Sequence, residues 1–220
     1  MSINSQYSFW GSLSPLGGLT GAGLLIMASA RLSWAITVAG SLLWVFGLSA
    51  FSYAFFVSVG KDKFFPAKGR KSVYTCLSAF FGTIYLFMFW LLCPFAAFET
   101  FLLLLLVPLF CACSGIVEKI QLQSQKINAD YFEHVSDTVS QAVSLAVLLI
   151  AFAIIREPLA YGTLSIPGSS HGMITIINFR QTDFFPIRIF ASSAGALFVL
   201  GYIICLYQYG KDRINPGEDK

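Results

Sequence analysis

The chain has 220 residues, of which 56% are hydrophobic and 11% charged, with a formal net charge of +3. An ordinary soluble domain carries roughly 25% charged residues, so this composition excludes a soluble globular enzyme and predicts an integral membrane protein built as one membrane domain over residues 1–220. The small positive balance carries no nucleic-acid signal, and none is expected as a partner; what matters is on which side of a bilayer the basic residues fall.

Several runs reach the roughly 20 apolar residues that cross a hydrocarbon core about 30 Å thick. Six segments are predicted, from Phe9 to Ala30, Ser33 to Val59, Val73 to Ala97, Thr100 to Val117, Thr138 to Ile155 and Ile187 to Tyr209. The N-terminal MSINSQYSFWGS has no basic region and no cleavage site after a short apolar core, so no removable secretory signal is expected.

The first and fourth segments are unusual. "SPLGGLTGAGLLIMASA" holds Pro15 and the glycines 17, 18, 21 and 23, each glycine costing about 1 kcal/mol relative to alanine in a helix interior, which predicts an interrupted helix. In the fourth, Pro108 removes a backbone donor and crowds the preceding turn, which predicts a kink or split. Each holds a Pro-Leu pair followed by a glycine: Pro15 and Leu16 before Gly21, Pro108 and Leu109 before Gly115. Interrupted segments at matching places in two halves are the signature of an inverted repeat with its site near the bilayer midplane. The expected fold is therefore all-α and membrane-integral, six transmembrane helices as an inverted 3+3 repeat with two interrupted half-helices. Repeat 1 covers about 9–97 and repeat 2 about 98–209.

With six crossings, Lys61, Lys63, Lys68, Arg70, Lys71, Lys119, Lys126, Lys211, Arg213 and Lys220 fall on one side, and Arg31, Arg156, Arg180 and Arg188 on the other. Basic residues favour the cytoplasmic side, which places both termini there. The loop "GKDKFFPAKGRKS" is read first as a topology signal.

Five cysteines, Cys76, Cys93, Cys111, Cys113 and Cys205, lie in or beside apolar segments. An odd count argues against a disulfide framework, and small buried hydrophobes are the plain reading. In "VPLFCACSGI", however, Cys111 and Cys113 stand beside the helix break. Thiolates are what iron–sulfur clusters use as ligands, and two thiols facing a shared cavity would need a partner subunit to complete four; the alternative is two small residues easing a tight helix contact. In "SDTVSQAVSLAVLLIAFAIIREPLAYGTLSIPG", Asp137 is expected to open the fifth helix, with Ser136 as an alternative cap. Arg156 and Glu157 would mark its far end about 28 Å away, with Pro158 starting a turn-rich loop. Each charge reads as a cap or interface anchor, or else as a docking contact for a partner. His134 and His171 have no ligand spacing and read as loop residues.

The stretch "SDTVSQAVSLAVLLIAFAIIREPLAYGTL", together with "ASARLSWAITVAGSLLWVFG" and "VPLFCACSGI", resembles the paired six-helix membrane subunits of the Rnf and Nqr complexes, the ion-translocating ferredoxin:NAD and NADH:quinone oxidoreductases. The resemblance covers about 200 residues and is closer to the RnfE/NqrD type, related to the RnfA/NqrE type. It implies a homologous RnfA/NqrE-like partner in the opposite orientation within the lipid bilayer, with flavin-bearing subunits alongside. It also implies a 2Fe-2S cluster at the subunit interface, to which each subunit gives one cysteine per half-helix. Cys113 best matches the second-repeat ligand, with Cys111 as the competing candidate. Where the family carries its other cysteine the chain reads "LTGAGLLIM", aligning Gly23 or Ala22, and the residue before the second ligand is Ala112 instead of asparagine. Either Cys111 and Cys113 both ligate, or the partner supplies more, or the cluster is altered or absent.

The expected function is a membrane subunit of an Rnf/Nqr-like complex in the bacterial inner (cytoplasmic) membrane, helping to carry electrons across it. No nucleotide is expected in this chain, because no Gly-rich strand-turn-helix fingerprint is present. The alternatives are a cluster-free scaffolding paralogue and a secondary transporter; the near absence of charge inside the helices, with Glu99 at an end, speaks against the transporter.

Overall fold

The computed structural model describes residues 15–60, 70–113, 131–168, 172–179 and 186–214. In chain order these form α1 (Pro15–Ala28), α2 (Leu32–Gly60), α3 (Arg70–Leu92), α4 (Pro94–Cys113), α5 (Tyr131–Tyr161), β1 (Thr163–Gly168), β2 (Gly172–Asn178), a 3-10 turn (Arg188–Ala191) and α6 (Ser193–Ile214). Each apolar segment of the sequence thus carries a helix. Among the described residues, four stretches are long and apolar enough to cross a membrane: Leu32–Phe56, Ser72–Leu92, Pro94–Cys113 and Thr138–Tyr161. The apolar part of α6, Ser193–Ile203, is shorter.

Neither the first nor the fourth segment is split within these bounds. α1 runs unbroken from Pro15 through all four glycines, and α4 runs unbroken through Pro108. Helix propensity is measured in water, where a freed amide can find a solvent partner; in an apolar surrounding the helix is the one local structure that satisfies its own backbone. Close packing supplies the rest. A Cβ at Gly21 would stand 2.7 Å from the Phe110 ring of α4, and one at Gly82 of α3 would stand 2.9 Å from Pro108 Cγ. The glycines mark where helices approach, and the Pro108 ring fills the space Gly82 leaves. The Ser14 and Phe9 end of the first segment, and residues 114–117 of the fourth with Ser114 and Gly115, lie outside the described residues.

α2 and α5 form the centre of the bundle and pack along each other. They run antiparallel, since Glu157 near the end of α5 meets Leu32 at the start of α2. Both helices carry buried small residues: Ala35 and Ala39 on α2, Ala142, Ala146 and Ala153 on α5. Small residues at four-residue spacing let backbones approach, which is how helices gain packing energy where no hydrophobic effect drives them together. Fully buried Leu42, Val45 and Leu149 complete the core.

α3 returns antiparallel to α2, with Tyr85 Oη donating to Thr37 O at 3.1 Å near one end and the Tyr53 and Tyr74 rings edge to face at 5.7 Å near the other. α4 then runs parallel to α2, with Phe46 against Phe110 at 5.6 Å. The α3–α4 turn is made at Cys93 alone: its N–H bonds Phe89 O at 2.8 Å, and its carbonyl accepts from Ala97 N–H at 2.9 Å. α1 packs against α4.

At the end of the bundle where α1 gives way to α2, the chain after α5 builds a β-hairpin, not the loop expected from Pro158. Pro158 lies inside the last turn of α5. Gly162 then takes a positive φ of 67° and its N–H bonds Pro158 O at 2.8 Å, the left-handed helix terminator that glycine adopts without a Cβ penalty. β1 and β2 pair antiparallel, Thr163 opposite Asn178 and Gly168 opposite Gly172, with an irregularity at Leu164/Ser165. At the opposite end, α5 begins at Tyr131, so Asp137 lies inside the helix instead of opening it, and His134 is helical. His171 lies outside the described residues.

Candidate functional site

Apolar helices leave few polar side chains inside, and those present must be satisfied locally. On α2, Thr37 donates to Trp34 O at 2.9 Å and Ser41 to Val38 O at 2.8 Å; on α4, Thr100 donates to Ala96 O at 2.7 Å. These hydroxyls fold onto their own helices. Among the described residues, two clusters go further and join elements.

The first is centred on Arg156 and Glu157 in the last turns of α5, each 1% exposed. Arg156 Nε donates to Phe190 O at 2.8 Å; Nη1 donates to Ile26 O at 2.6 Å and Ser29 Oγ at 2.8 Å; Nη2 donates to Ala191 O at 3.1 Å and Ser192 O at 3.0 Å. One guanidinium thereby covers carbonyls at the end of α1 and of the 3-10 turn, the negative ends of both. Glu157 does the converse. Its Oε2 accepts from Leu32 N–H at 2.6 Å at the positive start of α2, and its Oε1 accepts from Ser165 Oγ of β1 at 2.6 Å. Nearby, Arg31 lies over the Trp34 and Tyr161 rings at 5.6 and 5.3 Å and donates to Met173 Sδ. The capping reading of Arg156 holds, but the residue is interior and engaged on every side within the chain, which leaves no group of it for docking a partner.

The second cluster is centred on Cys111, about 26 Å along α4 from Pro94 and so in its last turn. Its thiol is fully buried, 3.2 Å from Tyr74 Oη and 3.6 Å from Ser49 Oγ. Ser49 Oγ also lies 3.4 Å from Tyr74 Oη and 3.3 Å from Phe46 O. Tyr53 packs its ring on Tyr74. A thiol here acts as a weak partner to two hydroxyls where α2, α3 and α4 meet. Cys111 lies about 11 Å along the axis from the middle of Pro94–Cys113.

Cys113 is half-buried. Residues two apart on a helix project about 200° from each other, so Cys111 points inward while Cys113 points elsewhere. The pair does not fit two ligand positions on one 2Fe-2S cluster. Cys93 at the α3–α4 turn is half-buried, and Cys76 and Cys205 are exposed on the outside of α3 and α6. Among the described residues, no group of three or more His, Cys, Asp or Glu side chains converges. Gly23 has open space at its Cβ position.

Sequence reasoning singled out Cys111, Arg156 and Glu157 but missed their partners Ser49, Tyr74, Ser29 and Ser165. Hydroxyls inside otherwise apolar runs were the available signal, because each must find a partner within the fold. No known family matches the chain, and neither does any curated protein.

Proposed function

We propose that the chain is a membrane-embedded subunit of an Rnf/Nqr-like ion-translocating electron-transport complex. It sits in the bacterial inner membrane with both termini cytoplasmic, beside a homologous subunit of opposite orientation and flavin-bearing subunits. What carries this reading is the sequence resemblance; the helix pairing is compatible with it in part. α1 packs on α4 and α2 on α5, as helices related by an in-plane twofold can, although α3 packs closely on α2 and α4 with no equal packing of α6 on α5 and α1. The charge asymmetry between loops gives the orientation, and the sequence resemblance gives the complex.

Within that reading the geometry favours the scaffolding form over the cluster-bearing one. A bound 2Fe-2S cluster would supply one-electron transfer across the interface. Of the two thiols, Cys111 is enclosed by Ser49 and Tyr74 and Cys113 is half-buried. This chain's own residues hold the helix pair together and exclude water around its centre.

The test is purification from native membranes through a tag on this chain, with mass spectrometry of co-purifying subunits, iron and sulfide analysis, and electron paramagnetic resonance before and after dithionite. A homologous six-helix subunit and flavoproteins are expected in the eluate, and their absence would overturn the assignment to a complex. An intact complex without a two-iron signal gives the scaffold. A signal lost in Cys113→Ser and retained in Cys111→Ser gives an electron carrier with Cys113 as ligand.

A further inference from the structure

Trp34, in the first turn of α2, stands between two charges of opposite sign. The Arg31 guanidinium lies over its ring at 5.6 Å, and its indole N–H donates to Glu99 Oε2 of α4 at 3.3 Å. The Tyr161 ring holds Arg31 from a second direction at 5.3 Å, and one guanidinium nitrogen, Nη1, donates to Met173 Sδ. Among the described residues, neither charge meets an oppositely charged side chain at ion-pair distance. Arg31 is half-buried and Glu99 is exposed.

Glu99 lies inside Pro94–Cys113, a stretch able to cross a membrane. One turn to either side of it on the same face of α4, Phe95 and Leu102 are also exposed. An ionised group on such a surface is costly unless a cation is brought to it. The same partner must satisfy Arg31. An anionic headgroup meets the guanidinium but is repelled by the carboxylate, and a simple cation has the converse fault. A headgroup carrying both charges answers both. From the guanidinium carbon across the indole to Glu99 Oε2 the separation is at most about 12 Å. A phosphate and a primary ammonium two carbons apart, each adding a charge-assisted hydrogen bond of about 2.8 Å, reach about 11 Å.

We propose that Arg31 and Glu99 form a binding site for a zwitterionic aminophospholipid of the phosphatidylethanolamine type. Its phosphate lies on Arg31, its ammonium on Glu99 and its acyl chains along the face of α4 that carries Phe95 and Leu102. The inference rests on the membrane placement of the helices and not on the complex proposed above.

The experiment is native mass spectrometry of the detergent-purified protein with equimolar phosphatidylethanolamine, phosphatidylglycerol and phosphatidylcholine. Phosphatidylglycerol offers the phosphate without an ammonium, and phosphatidylcholine a quaternary ammonium without N–H donors. Phosphatidylethanolamine should be retained roughly tenfold over each. Glu99→Gln should erase its advantage over phosphatidylglycerol, and Arg31→Gln should lower retention of both by about tenfold, with unfolding midpoints read alongside. Equal retention of the three lipids by the unaltered protein would overturn the proposal without recourse to any variant, as would a preference for phosphatidylglycerol. It would also fall if both variants, still folded, kept the preference of the unaltered protein. A dimer free of lipid would overturn it too, placing Arg31 of one copy on Glu99 of the other.

Discussion

Arg156 and Glu157 are neighbours in the chain, equally buried, and directed at opposite kinds of helix end. The guanidinium covers carbonyls that close α1 and the 3-10 turn, and the carboxylate accepts the amide that opens α2. The pair is thus electrically balanced over three elements without depending on its own attraction. Where water is excluded, an orphan helix end costs about 1–3 kcal/mol per unsatisfied group, and one dipeptide satisfies several of them. The same dipeptide ties α1, α2, the hairpin and the approach to α6 to the end of α5.

Arg156→Met, which keeps the side chain's length but none of its donors, should lower the stability of the detergent-solubilised protein by about 3–5 kcal/mol, because removing one partner of a buried charged network leaves the others uncompensated. Arg156→Lys should recover about half of that, since an ammonium carries the charge but cannot cover five bonds spread over a planar fork. Thermal unfolding followed by tryptophan fluorescence measures both. A methionine variant as stable as the unaltered protein would show that the network contributes nothing.

Glu157→Gln preserves shape and one acceptor. Leu32 N–H can keep its bond, and the Ser165 hydroxyl can turn to accept from the new amide, so the expected loss is only about 1–2 kcal/mol. Glu157→Leu leaves Leu32 N–H unpaired, leaves the Ser165 hydroxyl only its long bond to Ser33 Oγ at 3.5 Å, and removes a carboxylate from the positive start of α2, for an expected loss of about 3 kcal/mol. The order of the two unfolding midpoints is the measurement, and equal midpoints would contradict a hydrogen-bonding role.

The helices were legible because their signal is long-range and redundant: the apolar run from Leu32 to Phe56 needs no partner to identify it. Other features were invisible for definite reasons. Pro108 and the α1 glycines predict breaks by propensities measured in water, whereas here packing of Phe110 on Gly21 and of Pro108 on Gly82 decides. The hairpin after Pro158 was hidden because "TLSIPG" and "GMITIIN" are too short to be told from loop by pattern alone. Of the candidate site, Cys111 was found by its place beside a proline. Its partners Ser49 and Tyr74 lie on two other helices, and no spacing within a segment links them.

Cysteine reactivity reads the second cluster directly. With a membrane-permeant maleimide and peptide-resolved mass spectrometry, Cys76 and Cys205 should label first, Cys93 and Cys113 more slowly, and Cys111 at least about a hundredfold more slowly than Cys76, because a fully buried thiol reacts only through opening of the surrounding helices. Tyr74→Phe removes the hydroxyl nearest the thiol and should cost about 1 kcal/mol, with faster labelling at Cys111. Labelling of Cys111 at the rate of Cys76 in the unaltered protein would mean that the α2–α3–α4 junction is open.

Two glycines in helices should respond to the same substitution with opposite sign. At Gly195, in the first turn of α6, a Cβ would fall against backbone, 2.6 Å from Phe190 Cα and against Ile189 O, and backbone cannot turn aside as a side-chain tip can. Relief would require moving the 3-10 turn whose carbonyls Arg156 holds, so Gly195→Ala should lose about 3 kcal/mol or more. At Gly23, in the middle of α1, no atom lies within 4 Å of the added Cβ. Gly23→Ala therefore gains only the helix preference of alanine, up to about 1 kcal/mol. A paired comparison of unfolding midpoints should place one variant well below the unaltered protein and the other at or above it. If both fell equally, glycine would matter in these helices for flexibility instead of space, and the close contact between α6 and the 3-10 turn would lose its role in holding the Arg156 network.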